Sequence, residues 1–536
     1  MLRLFITILL FNMTEFLLHC QNTDYYSISS WYPWTISSIP KFQDSLFPES
    51  NLNNNLEIGF NRSRICWYSI DDRYYGTYAP LYIQQDTAQL NNHYVRKVTT
   101  KELYPDAYIQ VFDFYSTFDI AFYAFERGPY NFNTHKTAYS EGIDSTGKLM
   151  YPETRWGGIM QNIPIGALSE TNARFLSGWF MDPFIYNKNV LPVELLIQIG
   201  NVSEDILKDG IVSCESSLYM GTVTSAWGHA SDTVANNYSL YYLKKDFGLD
   251  GLDDGQERIF FSSYLSSVCY IVGNHPFYYS VVNDVSGDNY LYNNDISYTD
   301  SLMSISCRYK KHNNIQENTY SPDNLGLVSN YGHPDVEDLN KNHVLDTSEN
   351  YFQYRFYLHP DSLEIGKNFI TDKKTVLLNN NSEETWYKFK IPLDTAIREV
   401  FGNIYNVYDA DAIRLILRNC KDSIILRFDE FAFTENDLPE PVKEYYTGIY
   451  PNPVTDFITV SSQRGLNEVY LFDLQGRLLE IIFYNEMTDI YYYGSLYGTE
   501  FCVYEVRKDL SHLRKGIYLL VINSDSYHKV EKIVKL

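Results

Sequence analysis

Two acidic stretches carry the side chains best suited to chemistry. From Asp338 the chain reads Asp338-Leu-Asn340-Lys-Asn342-His-Val344-Leu-Asp346-Thr-Ser-Glu349. Counted from Asp338, oxygen-bearing side chains fall at positions one, three, five, nine and twelve, and Val344 offers its backbone carbonyl at seven. Glu349 at twelve is able to bind bidentately, which completes the spacing of an EF-hand calcium loop. His343 occupies the sixth position, where a glycine ordinarily makes the sharp turn. The second stretch is Asp246-Phe-Gly248-Leu-Asp250-Gly251-Leu252-Asp253-Asp254-Gly-Gln-Glu257. It keeps glycine at six and places Asp246, Asp250, Asp254 and Glu257 at one, five, nine and twelve, with the Leu252 carbonyl at seven and no side-chain oxygen at Gly248. Both are expected to hold calcium in a structural role that stiffens a long turn. The competing reading of each is an acidic surface turn.

No other chemistry announces itself. HExxH, GxSxG and the phosphate-binding GxxxxGK are all absent, and the 11 histidines are dispersed. Adjacent acids such as Asp253 and Asp254 resemble a glycosidase pair only on paper, since adjacency says nothing about separation across a cleft. No catalytic or cofactor-binding residue is assigned, and a non-enzymatic protein is expected. The cysteines at 20, 66, 214, 269, 307, 420 and 502 form no CxxC pair, which disfavours a metal-thiolate site and suggests no disulfide framework.

The elements that would position these loops are strands. At 536 residues the chain exceeds one ordinary hydrophobic core, and 49 Tyr and 31 Phe spread along it favour sheets. A formal charge of −24 repels nucleic-acid phosphates, and no basic stripe with interleaved aromatics is visible, so nucleic acid is excluded as a partner. Residues 1–20, with Arg3 followed by apolar runs, read as a signal peptide too short and interrupted to span a membrane. His19 before Cys20 is too bulky for a lipoprotein signal. No later segment is apolar for long enough to form a membrane helix.

Residues 21–60, rich in Ser, Asn and Pro, read as an irregular leader. From 61 to 435 short aromatic and β-branched runs alternate with Asn, Asp and Gly turns, the mark of many short strands. Two sandwich-type units are expected, about 100–215 and 335–435, joined by an Asp/Gly-rich region. In the second, Trp386, Lys388 and Lys390 alternate with Tyr387, Phe389 and Ile391, and Arg414 interrupts an apolar run, as for a sheet with one packed and one wetter face. Trp156, Trp179 and Trp386 are expected in the core. The fold class is mainly all-β, with jelly-roll or galactose-binding-like sandwiches and a small C-terminal sandwich. An acidic linker with Pro439 and Pro441 occupies 436–446.

The tail, 447–536, runs through Tyr450-Pro-Asn-Pro453, Val469 to Leu479 with Asp473-Leu-Gln-Gly-Arg477, Asp509 to Ile522 with Leu513-Arg-Lys-Gly-Ile-Tyr-Leu-Leu520, and Lys529 to Lys535. In order and kind these runs are similar to the type A C-terminal sorting domain of type IX secretion cargo. The insert between Leu479 and Asp509 is expected to lengthen one loop. That resemblance implies export through both membranes of a Bacteroidetes-type Gram-negative bacterium, the translocon as partner of the tail, and a secreted or outer-membrane-surface destination.

In the body, Asn92-His-Tyr94, Glu126-Arg-Gly-Pro-Tyr-Asn131, Arg155-Trp-Gly-Gly-Ile-Met160, Trp179 to Phe184, Gly200 to Gly210, Gly248 to Leu252, Glu337 to Asn340 and Trp386 to Leu393 resemble, in order, the soluble repeated region of the translocon protein family SprA (Sov). The barrel of that family has no room here, so no pore function is implied. The expectation is a secreted or cell-surface sandwich protein acting in gliding, adhesion or secretion, with a surface protein or glycan as partner. A carbohydrate-binding module is the alternative, and a hydrolase with an unrecognised site the third.

Overall fold

Alternating aromatic and β-branched runs extend into strands because such side chains pack well on a pleated surface. The structure is a computed structural model that describes residues 25–28, 34–104, 116–188, 190–214, 224–228, 248–289, 291–311, 336–378, 382–436, 447–450, 452–462, 468–474, 477–484, 489–496, 499–524 and 527–536. The expected signal segment, Asp246 and residues 437–446 of the expected linker lie outside the described residues. The chain divides into two compact units, residues 1–98 with 114–438 and residues 99–113 with 439–536. Among the described residues no helix is long and apolar enough to cross a membrane.

The first unit contains strands β1 (Tyr25–Ser27), β2 (Thr35–Ile36), β3 (Ser63–Tyr68), β4 (Phe118–Arg127), β5 (Trp156–Asn162), β6 (Phe175–Met181), β7 (Val193–Asn201), β8 (Asn350–Leu358), β9 (Ile370–Leu377), β10 (Glu383–Pro392), β11 (Glu399–Phe401), β12 (Ala412–Arg418) and β13 (Ser423–Thr434). One antiparallel sheet runs β3-β4-β13-β6-β10-β9 with β1 on β13, and the other runs β11-β8-β7-β12-β5-β2. The two pack face to face. Phe180, Phe389 and Phe428 of the first meet Leu195, Ile197 and Phe356 of the second around a small, wholly apolar void, and the Phe180 and Phe356 rings lie 5.7 Å apart.

The stretches 100–215 and 335–435, expected as separate units, contribute to the same two sheets. Strand β12 lies between β5 and β7, and β13 between β4 and β6. A period-two pattern tells which face of a strand is buried but not which strand lies beside it. The leader also departs from expectation: Trp34, Ile36, Ile39, Phe47 and Ile58 belong to the sandwich core. Its Ser38 and Gln43 bond onto Arg414, Tyr351 and Gln353 on the outer face of β12 and β8. Around Arg414 that face is buried: Arg414, read as marking a wetter face, is 0% exposed. Trp156, Trp179 and Trp386 are buried as expected.

Between β7 and β8 the described chain turns helical, with α1 (Asp254–Phe260), α2 (Ser262–Val272) and α3 (Pro276–Asn283). In α2, Tyr264, Val268 and Val272 recur every four residues and form the buried stripe. Phe261, just before it, stacks on Phe132 with ring centroids 4.1 Å apart.

The second unit holds β14 (Thr447–Tyr450), β15 (Phe457–Ser462), β16 (Glu468–Phe472), β17 (Leu478–Tyr484), β18 (Asp489–Leu496), β19 (Thr499–Asp509), β20 (Gly516–Ser524) and β21 (Tyr527–Lys535). They form two four-stranded sheets, β14-β15-β19-β18 and β17-β16-β20-β21. The insert after Leu479 therefore supplies strands and does not merely lengthen a loop. Its strand β19 pairs with both β15 and β18. Asn452 of the Tyr450-Pro-Asn-Pro453 motif is fastened to the last strand. Asn452 Nδ2 donates to the Lys532 carbonyl at 2.9 Å, and the Val534 N–H donates to Asn452 Oδ1 at 3.0 Å.

Candidate metal sites

The second acidic stretch is positioned by the start of α1. Asp253 caps the helix, accepting from the Gln256 N–H at 2.8 Å while Gln256 Oε1 accepts from the Asp253 N–H at 3.0 Å, a reciprocal capping box. Side chains in the first turns point back towards the helix N-terminus. Glu257 thereby returns to Asp250, and both are buried. A third carboxylate, Asp288, arrives from the turn after α3. Ligand oxygens of Asp250, Glu257 and Asp288 all lie within 4.8 Å of one another.

Asp250 and Glu257 are held by hydrogen bonds. Asp250 accepts from Ser286 Oγ at 2.5 Å and from the Leu252 N–H at 3.0 Å. Glu257 accepts from the Val285 and Ser286 N–H groups at 3.1 and 3.2 Å. Burial pushes the Glu257 carboxyl up to about 7, the charges of Asp284 and Asp254 adding to the rise and bonds from Ser286 opposing it. Gly248 has φ +60°, and a Cβ there would stand 1.8 Å from Asp288 Oδ2, so only glycine fits. Asp254 is outside the cluster and accepts from Asn289 Nδ2 at 3.0 Å. Of the residues expected in this loop, the fold joins Asp250 and Glu257, sends Asp254 elsewhere, and adds Asp288. The missed residue lies 31 positions beyond Glu257, outside any local motif. Three hard carboxylate oxygens gathered out of water suit a calcium or magnesium ion.

The first stretch forms a tight turn. Asp338 accepts from the Asn342 and His343 N–H groups at 2.9 and 3.1 Å, and Asn342 Oδ1 accepts from the Val344 N–H at 2.7 Å. Asn340 and Asn342 both donate side-chain N–H to Asp346 Oδ2, at 2.8 and 2.9 Å. His343 takes φ +65°, adopting the left-handed backbone that glycine would have supplied more cheaply. Asp338, Asn340, Asn342 and Asp346 thus share one turn, and rotating either amide would present oxygen in place of nitrogen. Val344 is exposed.

Glu349 turns away from this loop. Both its oxygens lie 2.9 Å from the Arg414 guanidinium, and one also accepts from the Ser203 N–H. Glu204 stands in the loop instead, accepting from the Leu339, Asn340 and Asp346 N–H groups at 2.8, 3.2 and 3.1 Å. Burial lifts its carboxyl to about 7, and the Asp346 and Asp338 charges contribute. Its neighbour Glu337 does similar work, accepting from the backbone of Ile206, Leu207 and Ser213. The Gly200–Gly210 segment carried the signal for Glu204, but only its partners reveal its role.

Residues 263–444 match the family model of a motility-related/secretion protein, the SprA N-terminal type, and residues 448–491 match a secretion-system C-terminal sorting domain. No curated protein matches the chain. The first match includes Asp288, the Asp338 loop and strands β8 to β13, and the second begins at the tail's first strand. The chain joins an SprA-like segment to a type IX sorting tail, which marks it for export out of the cell, either released or attached to the surface.

Proposed function

We propose that the protein is a non-enzymatic sandwich protein of the outer surface, acting in gliding, adhesion or secretion. The observation that carries this reading is the union, in one chain, of a motility-related/secretion segment and a sorting tail. The buried acids support a structural body over a catalytic one. Glu204, Glu257 and Glu337 are committed to backbone N–H groups, the way carboxylates fasten loops and not the way a general acid meets a substrate. The void between the sheets is lined by apolar side chains, which suits packing and offers nothing to orient a polar substrate.

Calcium belongs to the same reading. Asp250, Glu257 and Asp288 would hold one ion at the root of α1, and Asp338, Asn340, Asn342 and Asp346 a second. Bound there, the ion would offset the cost of burying like charges and tie residues 248–257 to the turn at Asp288.

Two measurements test the proposal. In cells lacking type IX secretion the protein should accumulate in the periplasm. Pull-down from intact outer membranes should recover translocon or surface-motility components. Recovery of neither, together with turnover of polysaccharide or peptide by the purified protein, would replace the proposal with the hydrolase reading.

A further inference from the structure

Strand β20 carries the run Ile517-Tyr-Leu-Leu-Val-Ile522, which no charged or amide side chain interrupts. Apolar on both sides, it has the pattern of a strand buried on both faces. In the tail one face is buried. Leu520 and Ile522 point into the core between the two sheets, and alternation turns Ile517, Leu519 and Val521 outward. The neighbouring strands continue that outward face. Across β16 and β20, Phe472 pairs with Leu519 and Tyr470 with Val521; across β16 and β17, Phe472 pairs with Leu478 and Tyr470 with Ile481. Two apolar rows thus cross three strands, and cross-strand pairs of this kind lie in contact. Leu478 and Ile481 are each 49% exposed and Ile517 39%, while Phe472, Leu519 and Val521 are half-buried. Lys532, paired with Leu519, stands at the border.

We propose that this outward face is where the export machinery grips the tail, an outer-membrane component of that machinery covering it with an apolar surface of its own. Residues 448–491, which match a sorting domain, include β16 and β17, and a sorting domain works by being held. The centre of a protein interface is poor in charge and rich in aromatic and aliphatic side chains, as these two rows are. Charge also selects the occupant. Residues 447–536 hold nine Lys and Arg against eleven Asp and Glu, so nearly all of the net charge of −24 belongs to the body. A second copy seated on the tail would bring two strongly acidic bodies together against their repulsion. A receptor meets a nearly neutral tail. The inference rests on the export reading above, and its test separates the two.

The test places the photo-crosslinker p-benzoylphenylalanine at position 481 of the full chain in cells with type IX secretion. Irradiation should join it to an outer-membrane component of that machinery. The same group at position 459 should not, because Thr459 lies in β15 of the other sheet, between the inward Ile458 and Val460. I481T/I517T keeps good strand formers but removes apolar surface, and should lower the exported fraction about tenfold, as loss of two anchoring side chains does at an interface. T459K should export normally, and equal melting temperatures of the purified variants show that each folds. If I481T/I517T does not fold, I481T serves in its place. A crosslink from position 481 to a second copy or to lipid only, no crosslink, or undiminished export of the folded threonine variant would overturn the inference and leave the export reading standing. Undiminished export of the unaltered chain from cells lacking type IX secretion would overturn both.

Discussion

Glu349 and Arg414 form a two-pronged ion pair, each prong 2.9 Å long, in which neither side chain exceeds 1% exposure. Glu349 immediately precedes β8 and Arg414 lies in β12, so the pair links strands separated by β7. Arg414 also donates to Gln198 of β7 and Ser38 of the leader. Breaking a buried pair from one side leaves an uncompensated charge and costs about 3–5 kcal/mol. Replacing E349 or R414 by alanine is expected to lower stability by that order in urea unfolding, while the double variant E349M/R414M recovers much of the loss. Equal damage from the single and double variants would mean that the charge balance is not what matters.

Calcium should raise the melting temperature and EDTA lower it. An ion binding only the folded state stabilises by about 2.7 kcal/mol at a hundredfold excess over its dissociation constant. The response should vanish in D250N/D288N combined with D338N/D346N and persist in D254N, because Asp254 bonds to Asn289 and is outside the cluster. An identical melting curve with calcium and with EDTA in the unaltered protein removes calcium from the account.

Glu49 offers a pH test away from those loops. Burial pushes its carboxyl up, although the bond from Trp156 Nε1 and the charge of Arg155 oppose the rise. A carboxyl whose folded value lies above its unfolded value binds its proton more tightly in the folded chain. Its contribution to stability is full below the unfolded value and declines as pH rises towards the folded one. E49Q should therefore melt higher than the unaltered protein near neutral pH, with the advantage shrinking towards about pH 4, where a free carboxyl begins to protonate. Lower melting of E49Q at neutral pH would count against this.

In the tail, N452A removes both bonds to β21. Each such bond contributes about 1 kcal/mol, and backbone amides of β21 should exchange hydrogen faster while those of the first unit do not change. Unaltered exchange in β21 would show that the Asn452 bonds do not hold that strand.

Much of this protein was legible in its residues. Runs such as Trp386–Leu393 and Ala412–Leu417 mark strands, and the joint order of the tail motifs points to an export route. The site was legible only where its ligands are neighbours in sequence. Asp250 and Glu257 were found because one helical turn and a capping box keep them local, whereas Glu204 and Asp288 come from other segments. Glu349 satisfied the spacing of a calcium loop, but a guanidinium from β12 claimed its oxygens.

What the sequence by itself determined is the kind of structure and its destination: strands from side-chain alternation, turns from Gly, Pro and Asn, and export from the tail. Tertiary structure alone decided which strands share a sheet, that the leader packs onto one face, and which acids meet. The reason is physical. Alternation and turn chemistry act over a few residues, while pairing partners and buried charges are selected by burial and hydrogen-bond satisfaction across hundreds of positions, as where Ser38 of the leader meets Arg414.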